Sequence, residues 1–139
     1  MDQIRNLVTD RAAAMRAGDV ATLIGQYAPE ITKYDLAPPL ANPAPLDGEA
    51  LKAWFGTFDG PVDYEVRDLV VTAGDDVAFC HALHRLSMRP TGAPDTYDLW
   101  FRVTYGLRKV DGDWKITHEH QSTPFHMDGS FKAAVDLEP

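Results

Sequence analysis

Three places along this 139-residue chain carry residues suited to moving a proton. His118 and His120 are separated by one residue. Asp35 stands just before an apolar, proline-rich run. Asp98 and Arg102 lie four apart. A His-x-His pair on a strand puts both imidazoles on one face. Imidazole titrates near neutral pH, so acid–base work is one reading. Two imidazoles one repeat apart can also share a metal ion, with His84 or Asp35 completing the site. A third reading leaves two inward histidines hydrogen-bonded to buried neighbours. Asp35 follows Tyr34 and precedes Leu36-Ala37-Pro38-Pro39-Leu40. A carboxylate with apolar neighbours loses solvation, which is how proteins make a carboxylate basic enough to act as a general base. The same Asp could instead hydrogen-bond its own backbone in a turn. A buried Arg102 would need a carboxylate partner, or would orient an anionic or enolate-like ligand. Trp100, His84, Tyr27 and Trp54 complete the candidate ligand contacts, although the tryptophans also suit a core.

The elements that must position these residues fall into two halves. Ile4, Leu7, Val8, Ala12 and Met15 follow helical spacing, and Gly18 is placed to end that helix. Asp19 can cap a second short helix, which Pro29 must stop. Residues 31–36 read as a short extended segment. Residues 37–47 read as loop, since Pro38, Pro39, Pro43 and Pro45 oppose a regular ladder. Asp47 is placed to cap a third helix, with Leu51, Trp54, Phe55 and Phe58 on its buried side. From residue 62 the character changes. Residues 62–72, 77–88, 97–110 and 114–122 are strand-like runs, separated by Gly74-Asp75-Asp76, a longer loop over 89–96, and Asp111-Gly112-Asp113. Helices followed by a long antiparallel meander specify an α+β fold. Residues 126–139 read as a C-terminal tail on a single domain spanning 1–139.

Alternation sorts the strands by face. In the last strand Trp114, Ile116, His118, His120 and Ser122 share one face, which predicts inward histidines. Before it, Asp98, Trp100, Arg102 and Thr104 oppose Leu99, Phe101, Val103 and Tyr105. His81 and His84 fall on opposite faces.

Composition removes several function classes. A net charge of −8 is wrong for binding a phosphate backbone or an anionic membrane. Cys80 is alone, so no internal disulfide and no cysteine-rich zinc site is available, and its apolar flanks suit an inert thiol. No apolar run approaches the ~20 residues of a transmembrane helix, and the N-terminus lacks the apolar core of a signal peptide. These features lead to the expectation of a cytoplasmic protein.

The chain resembles the SnoaL-like, ketosteroid-isomerase-like proteins of the nuclear transport factor 2 (NTF2-like) superfamily. The resemblance lies in the Ala17-Gly18-Asp19 break, in Tyr34-Asp35-Leu36-Ala37-Pro38-Pro39-Leu40 and in Asp68-Leu69. It continues through residues 77–85, 100–104 and 111–120, and closes on Ser122-Thr123-Pro124-Phe125. It implies a cone-shaped fold, a curved antiparallel sheet around N-terminal helices, with a deep apolar pocket. It also implies a homodimer through the outer sheet face. Relative to the Ala-Gly-Asp break, the general base of ketosteroid isomerases falls on Asp35. The tyrosine that donates to their oxyanion falls on Arg11, and the partnering carboxylic acid falls at 104–106, where no Asp stands. SnoaL-like cyclases, which pair an Asp with a His, are similar in this respect. The resemblance thus implies isomerase- or cyclase-type proton transfer on a small apolar carbonyl compound. Asp35 would be the base, His118 or His120 the donor, and no organic cofactor or metal is called for. Non-catalytic binding of a small hydrophobic molecule, or a dimeric scaffold, are the competing expectations.

Overall fold

Ile4, Val8 and Ala12 recur every fourth residue and form the buried stripe of α1 (Asp2–Ala17). Gly18 ends this helix at φ +65°, a conformation that costs glycine least. The Asp19 carboxylate accepts from the Thr22 backbone N–H and caps α2 (Val20–Gly25). The computed structural model describes residues 2–43 and 46–139.

The first strand, β1 (Tyr27–Tyr34), begins earlier than the extended segment expected over 31–36. Its pairing is interrupted between Tyr27 and Thr32, where Pro29 offers no N–H to a ladder. Two residues read as loop, Asn42–Pro43, form the short strand β2 at the sheet edge, where a proline is tolerated. Pro45 lies outside the described residues. The Asp47 carboxylate caps α3 (Gly48–Phe55) through the Glu49 N–H at 2.9 Å. Trp54 packs edge-to-face on Phe55 and Phe58, with ring centroids 5.0 Å apart in each pair.

The four long strands lie where the alternating runs placed them: β3 (Asp63–Ala73), β4 (Val77–Met88), β5 (Tyr97–Val110) and β6 (Asp113–Ser122). The six strands order as β2-β1-β6-β5-β4-β3 in one curved sheet, antiparallel except where β1 runs parallel to β6. Asp111 and Gly112, both at positive φ, make the tight β5–β6 turn. After β6 the chain folds back on itself. The Ala134 N–H donates to Pro124, His126 pairs with Asp136 at 2.7 Å, and Ala134 is buried.

One face of the sheet meets α1 and the packed end of α3. Ile4, Val8, Phe101, Val103, Leu107 and Ile116 form its core, each contributing roughly 1.5–3 kcal/mol by leaving water. Two bulges set the faces. In β3 the register slips between Arg67 and Val70, where Asp68 takes φ 59°. In β6 Leu107 pairs with Ile116 but the adjacent Gly106 pairs with His118, so Thr117 is the extra residue. A Cβ on Gly106 would lie 3.3 Å from the His118 Cβ, so the glycine makes room for the kink. Among the described residues no helix is long and apolar enough to cross a membrane.

Candidate functional site

The inner face of the sheet holds a connected set of charges. At its centre is Glu119, buried on β6. Arg11 reaches it from α1, Nη2 to Oε1 at 3.1 Å. The Tyr27 hydroxyl donates to the same oxygen at 2.8 Å, and Gln121 Nε2 donates to Oε2 at 2.6 Å. The Arg11 guanidinium is fully engaged. Nε donates to the Tyr105 hydroxyl, Nη1 to the Leu23 carbonyl and the Gln26 amide oxygen, and Nη2 to Tyr27 and Glu119. Burial works to lower the Arg11 pKa, yet Tyr27, Tyr105 and Glu119 hold it above its ordinary value. Burial likewise works to raise the Glu119 carboxyl. Arg11, Lys33 and the bonds from Tyr27 and Gln121 outweigh it and keep Glu119 ionised below the usual range.

Lys33 links this buried pair to Asp35. Its ammonium lies 3.8 Å from Glu119 and 3.2 Å from Asp35. Asn42 donates its side-chain N–H to the other Asp35 oxygen at 2.8 Å. Asp35 therefore sits between a cation and an amide, rather than among apolar neighbours alone as expected. Its side chain keeps 27% of its accessible surface, against 2% for Glu119. That difference separates their chemistry. Both carboxylates have a donor on each oxygen, but Glu119 is sealed in the interior, whereas Asp35 is open to solvent with a cation already at hand.

His84 is inward and 2% exposed. Its Nδ1 meets the Tyr64 hydroxyl, and the rings of Tyr64, Phe101 and Tyr105 stand around it. Burial pushes its pKa down to about 4, against a weaker upward pull from Glu119, so the ring is neutral at neutral pH. Tyr27 and Trp54 also lie on the helical side, Tyr27 within the charge network and Trp54 against the core. Cys80 is buried and its thiol is pushed up to about 11, mainly by burial.

Other sequence expectations are corrected. His118 and His120 do not face inward. The Thr117 bulge shifts the alternation by one, so Glu119 and Gln121 turn in and the histidines turn out. There they pack against Tyr34, and His118 Nδ1 lies 2.8 Å from the Thr32 carbonyl oxygen. His84 lies on the opposite face from both, so the His118–His120–His84 metal site cannot form. Arg102 and Trp100 are also on the outer face. Arg102 Nε donates to Ser122, and Trp100 lies 4.9 Å beneath the Arg67 guanidinium. Asp98 bonds Ser87 and lies 3.7 Å from Arg85 instead of serving Arg102.

Alternation alone missed Glu119, Lys33, Tyr105 and Tyr64. Two signals pointed toward them. Gly106 is a glycine inside a strand of bulky residues, the usual mark of a bulge nearby. Arg11 falls on the apolar stripe of α1, where a charge must have a buried partner.

Comparisons with known proteins agree with this fold. A SnoaL-like domain model matches residues 4–126. No curated protein matches the sequence. An NTF2-like protein of unknown function from Pseudomonas putida KT2440 is 32% identical, covering 99% of this chain and 95% of its own, with a TM-score of 0.82. A scytalone dehydratase-like protein from Novosphingobium aromaticivorans is 16% identical, covering 99% and 95%, with a TM-score of 0.76. A ketosteroid isomerase-like protein from Erwinia carotovora atroseptica is 18% identical, covering 87% and 93%, with a TM-score of 0.69. The last two likenesses speak to the fold alone. With most of its length matched by that domain model, and a 32%-identical relative covering nearly all of it, the chain belongs to the SnoaL-like domain family.

Proposed function

We propose that this protein catalyses acid–base proton transfer, of isomerase, cyclase or dehydratase type, on a small apolar carbonyl compound. The observation that carries this reading is Asp35. It is an accessible carboxylate just past the end of β1, steadied by Lys33 and Asn42, beside an otherwise sealed charge network. Asp35 takes a proton from the carbon next to the carbonyl. The Lys33 ammonium, 3.2 Å away, holds the carboxylate in place for that step. The neighbours named for a dehydratase and for a ketosteroid isomerase share the fold that carries this carboxylate. His118, His120 and Arg102 take no part, because they lie on the far side of the sheet.

The test is hydrogen–deuterium exchange next to the carbonyl of a panel of cyclic and aryl ketones, followed by NMR in D2O. The wild type is expected to accelerate exchange for a subset of the panel. Asp35→Asn is expected to lose at least about 100-fold of that acceleration, with circular dichroism and melting unchanged. Equal exchange by the two proteins overturns the assignment.

We also propose a homodimer through the outer sheet face, where Val70, Val77 and Phe79 are about half exposed. Sedimentation equilibrium is expected to give twice the chain mass. A monomer at every concentration tested removes this part of the reading.

A further inference from the structure

Gln3, Asn6 and Asp10 recur at helical spacing along a flank of α1, beside its buried stripe. Across from them stand Asp113 and Trp114 at the start of β6, and an open cleft of about 410 Å3 separates the two. That volume lies within the roughly 300–1,000 Å3 usual for small-molecule sites. Trp114 packs against the core and keeps part of its surface open.

Gln26, between α2 and β1, also lines the cleft, and its side chain is held at both ends. Its Oε1 accepts from Arg11 Nη1 at 3.0 Å, and its Nε2 donates to the Leu7 carbonyl at 3.1 Å. Its backbone carbonyl accepts from the Ile116 N–H at 2.9 Å. A primary amide has two N–H donors, and the second has no acceptor among the described residues. The cleft is thus offered a donor on a side chain that is already fixed in place.

Charge narrows the occupant. Two carboxylates, Asp10 and Asp113, and one ammonium, Lys115, line the cleft. Lys115 donates to the Gly25 carbonyl at 2.7 Å. A second ammonium, Lys109, lies 5.8 Å from the Trp114 ring centroid. The four charges cancel. An anion would meet two carboxylates there, and a cation would meet two ammonium groups. What remains are three side-chain amides, which both give and accept hydrogen bonds, and an indole ring. Hydroxyl groups also give and accept, so they match the amides in either direction. A ring with hydroxyls at its edge and C–H groups on its face fits both parts of this lining.

We propose that this cleft is a second binding site and that its ligand is a neutral, hydroxyl-rich ring of the monosaccharide class. The site holds whether or not Asp35 acts as a base. The sugar's C–H face lies on Trp114, its hydroxyls bond Asn6 and Asp10, and one hydroxyl accepts the free Gln26 N–H. Gln26 also bonds Arg11, which is buried, so occupancy reaches a group that the ligand never touches.

The experiment is a 1H–15N NMR titration of the full chain with the methyl glycosides of glucose, galactose and mannose. It reads the Gln26 side-chain amide, the Trp114 indole N–H and the Arg11 Nε–H. At least one glycoside is expected to shift all of these saturably. The 6-phosphate and 2-amino derivatives of the sugar that binds keep its ring and add a charge of either sign. Each is expected to bind about tenfold more weakly. Trp114→Ala is expected to abolish the shifts. Because Trp114 also touches the core, the double variant Asn6→Ala, Asp10→Ala supplies the cleaner reading. Both positions are exposed on α1, so melting is expected to be unchanged while affinity falls about tenfold. No saturable shift with any of these glycosides overturns the proposal. Equal binding of the charged derivatives, or undiminished binding by the double variant, overturns it as well. Shifts confined to other surface amides, with Gln26 and Arg11 unmoved, put the sugar elsewhere and have the same consequence.

Discussion

Two neighbouring rows of one sheet differ by a single residue in register and share almost nothing else. Lys33, Glu119, Tyr105 and Cys80 align across β1, β6, β5 and β4 on the inner face. Tyr34, His120, Thr104 and His81 align beside them on the outer face. Glu119 is 1% exposed and Cys80 is sealed, whereas His120, Thr104 and His81 are open to solvent. The inner row holds charges that burial would expel unless each had a partner, and Arg11 and Lys33 supply the partners. The outer row holds titratable side chains that water already stabilises. Which row a side chain joins therefore matters more to its chemistry than its residue type.

Thr117 is the hinge of that assignment, so lengthening the chain there is the largest perturbation available. Inserting one alanine after Thr117, with the bulge still one residue long, advances every later residue of β6 by one position. His118 and His120 would turn toward the core and Glu119 toward water, leaving Arg11 and Lys33 without their shared anion. Orphaning one member of a buried pair costs about 3–5 kcal/mol by itself, and two displaced imidazoles add to that. The insertion is expected to consume most of a stability of roughly 5–15 kcal/mol. Far-UV circular dichroism and urea unfolding should report a chain that is unfolded or nearly so. A cooperative, near-native melt would show that the bulge absorbs the extra residue and that the faces do not depend on its length.

Glu119→Gln tests the inner row with its shape preserved. The amide can still accept from Tyr27, but Arg11 then faces no full charge in a buried site. A loss of about 3 kcal/mol is expected in urea unfolding. Adding Arg11→Met to that variant is expected to recover part of the loss, since a buried pair removed together leaves no orphan. Strictly additive losses would mean that the two side chains do not depend on one another.

The fold was readable because its signals are local and repeated. Gly18 and Asp19 ended one helix and began the next, Asp47 capped α3, and Asp111-Gly112 closed the last hairpin. Four alternating runs gave four strands. The site was only half readable, because it depends on the phase of the alternation and not on its presence. Asp35 and His84 lie on the helical side of the sheet, in step with Lys33 and with Cys80 and Ala82, because no bulge intervenes between them and those neighbours. His118, His120 and Glu119 were exchanged, because a single inserted residue leaves the apolar pattern of Trp114 and Ile116 intact and inverts everything after it. Trp100 and Arg102 showed the other ambiguity. Both faces of β5 carry bulky residues, and only the packing of α1 decides which is inner.

The outer histidines provide the smallest effect and the sharpest contrast with Glu119. His120 is exposed and touches Tyr34 edge-on, so His120→Ala should change stability by no more than about 0.5 kcal/mol. His118 also bonds the Thr32 carbonyl at 2.8 Å, tying β6 to β1, so His118→Ala should cost about 1 kcal/mol. Neither variant should alter ketone exchange in which Asp35→Asn is defective, because the sheet itself separates them from the carboxylate. Urea unfolding and the D2O assay measure the two quantities separately. Loss of exchange in His120→Ala with unchanged stability would place a working group on the outer face, and the two rows would then have to be read as two sides of one site.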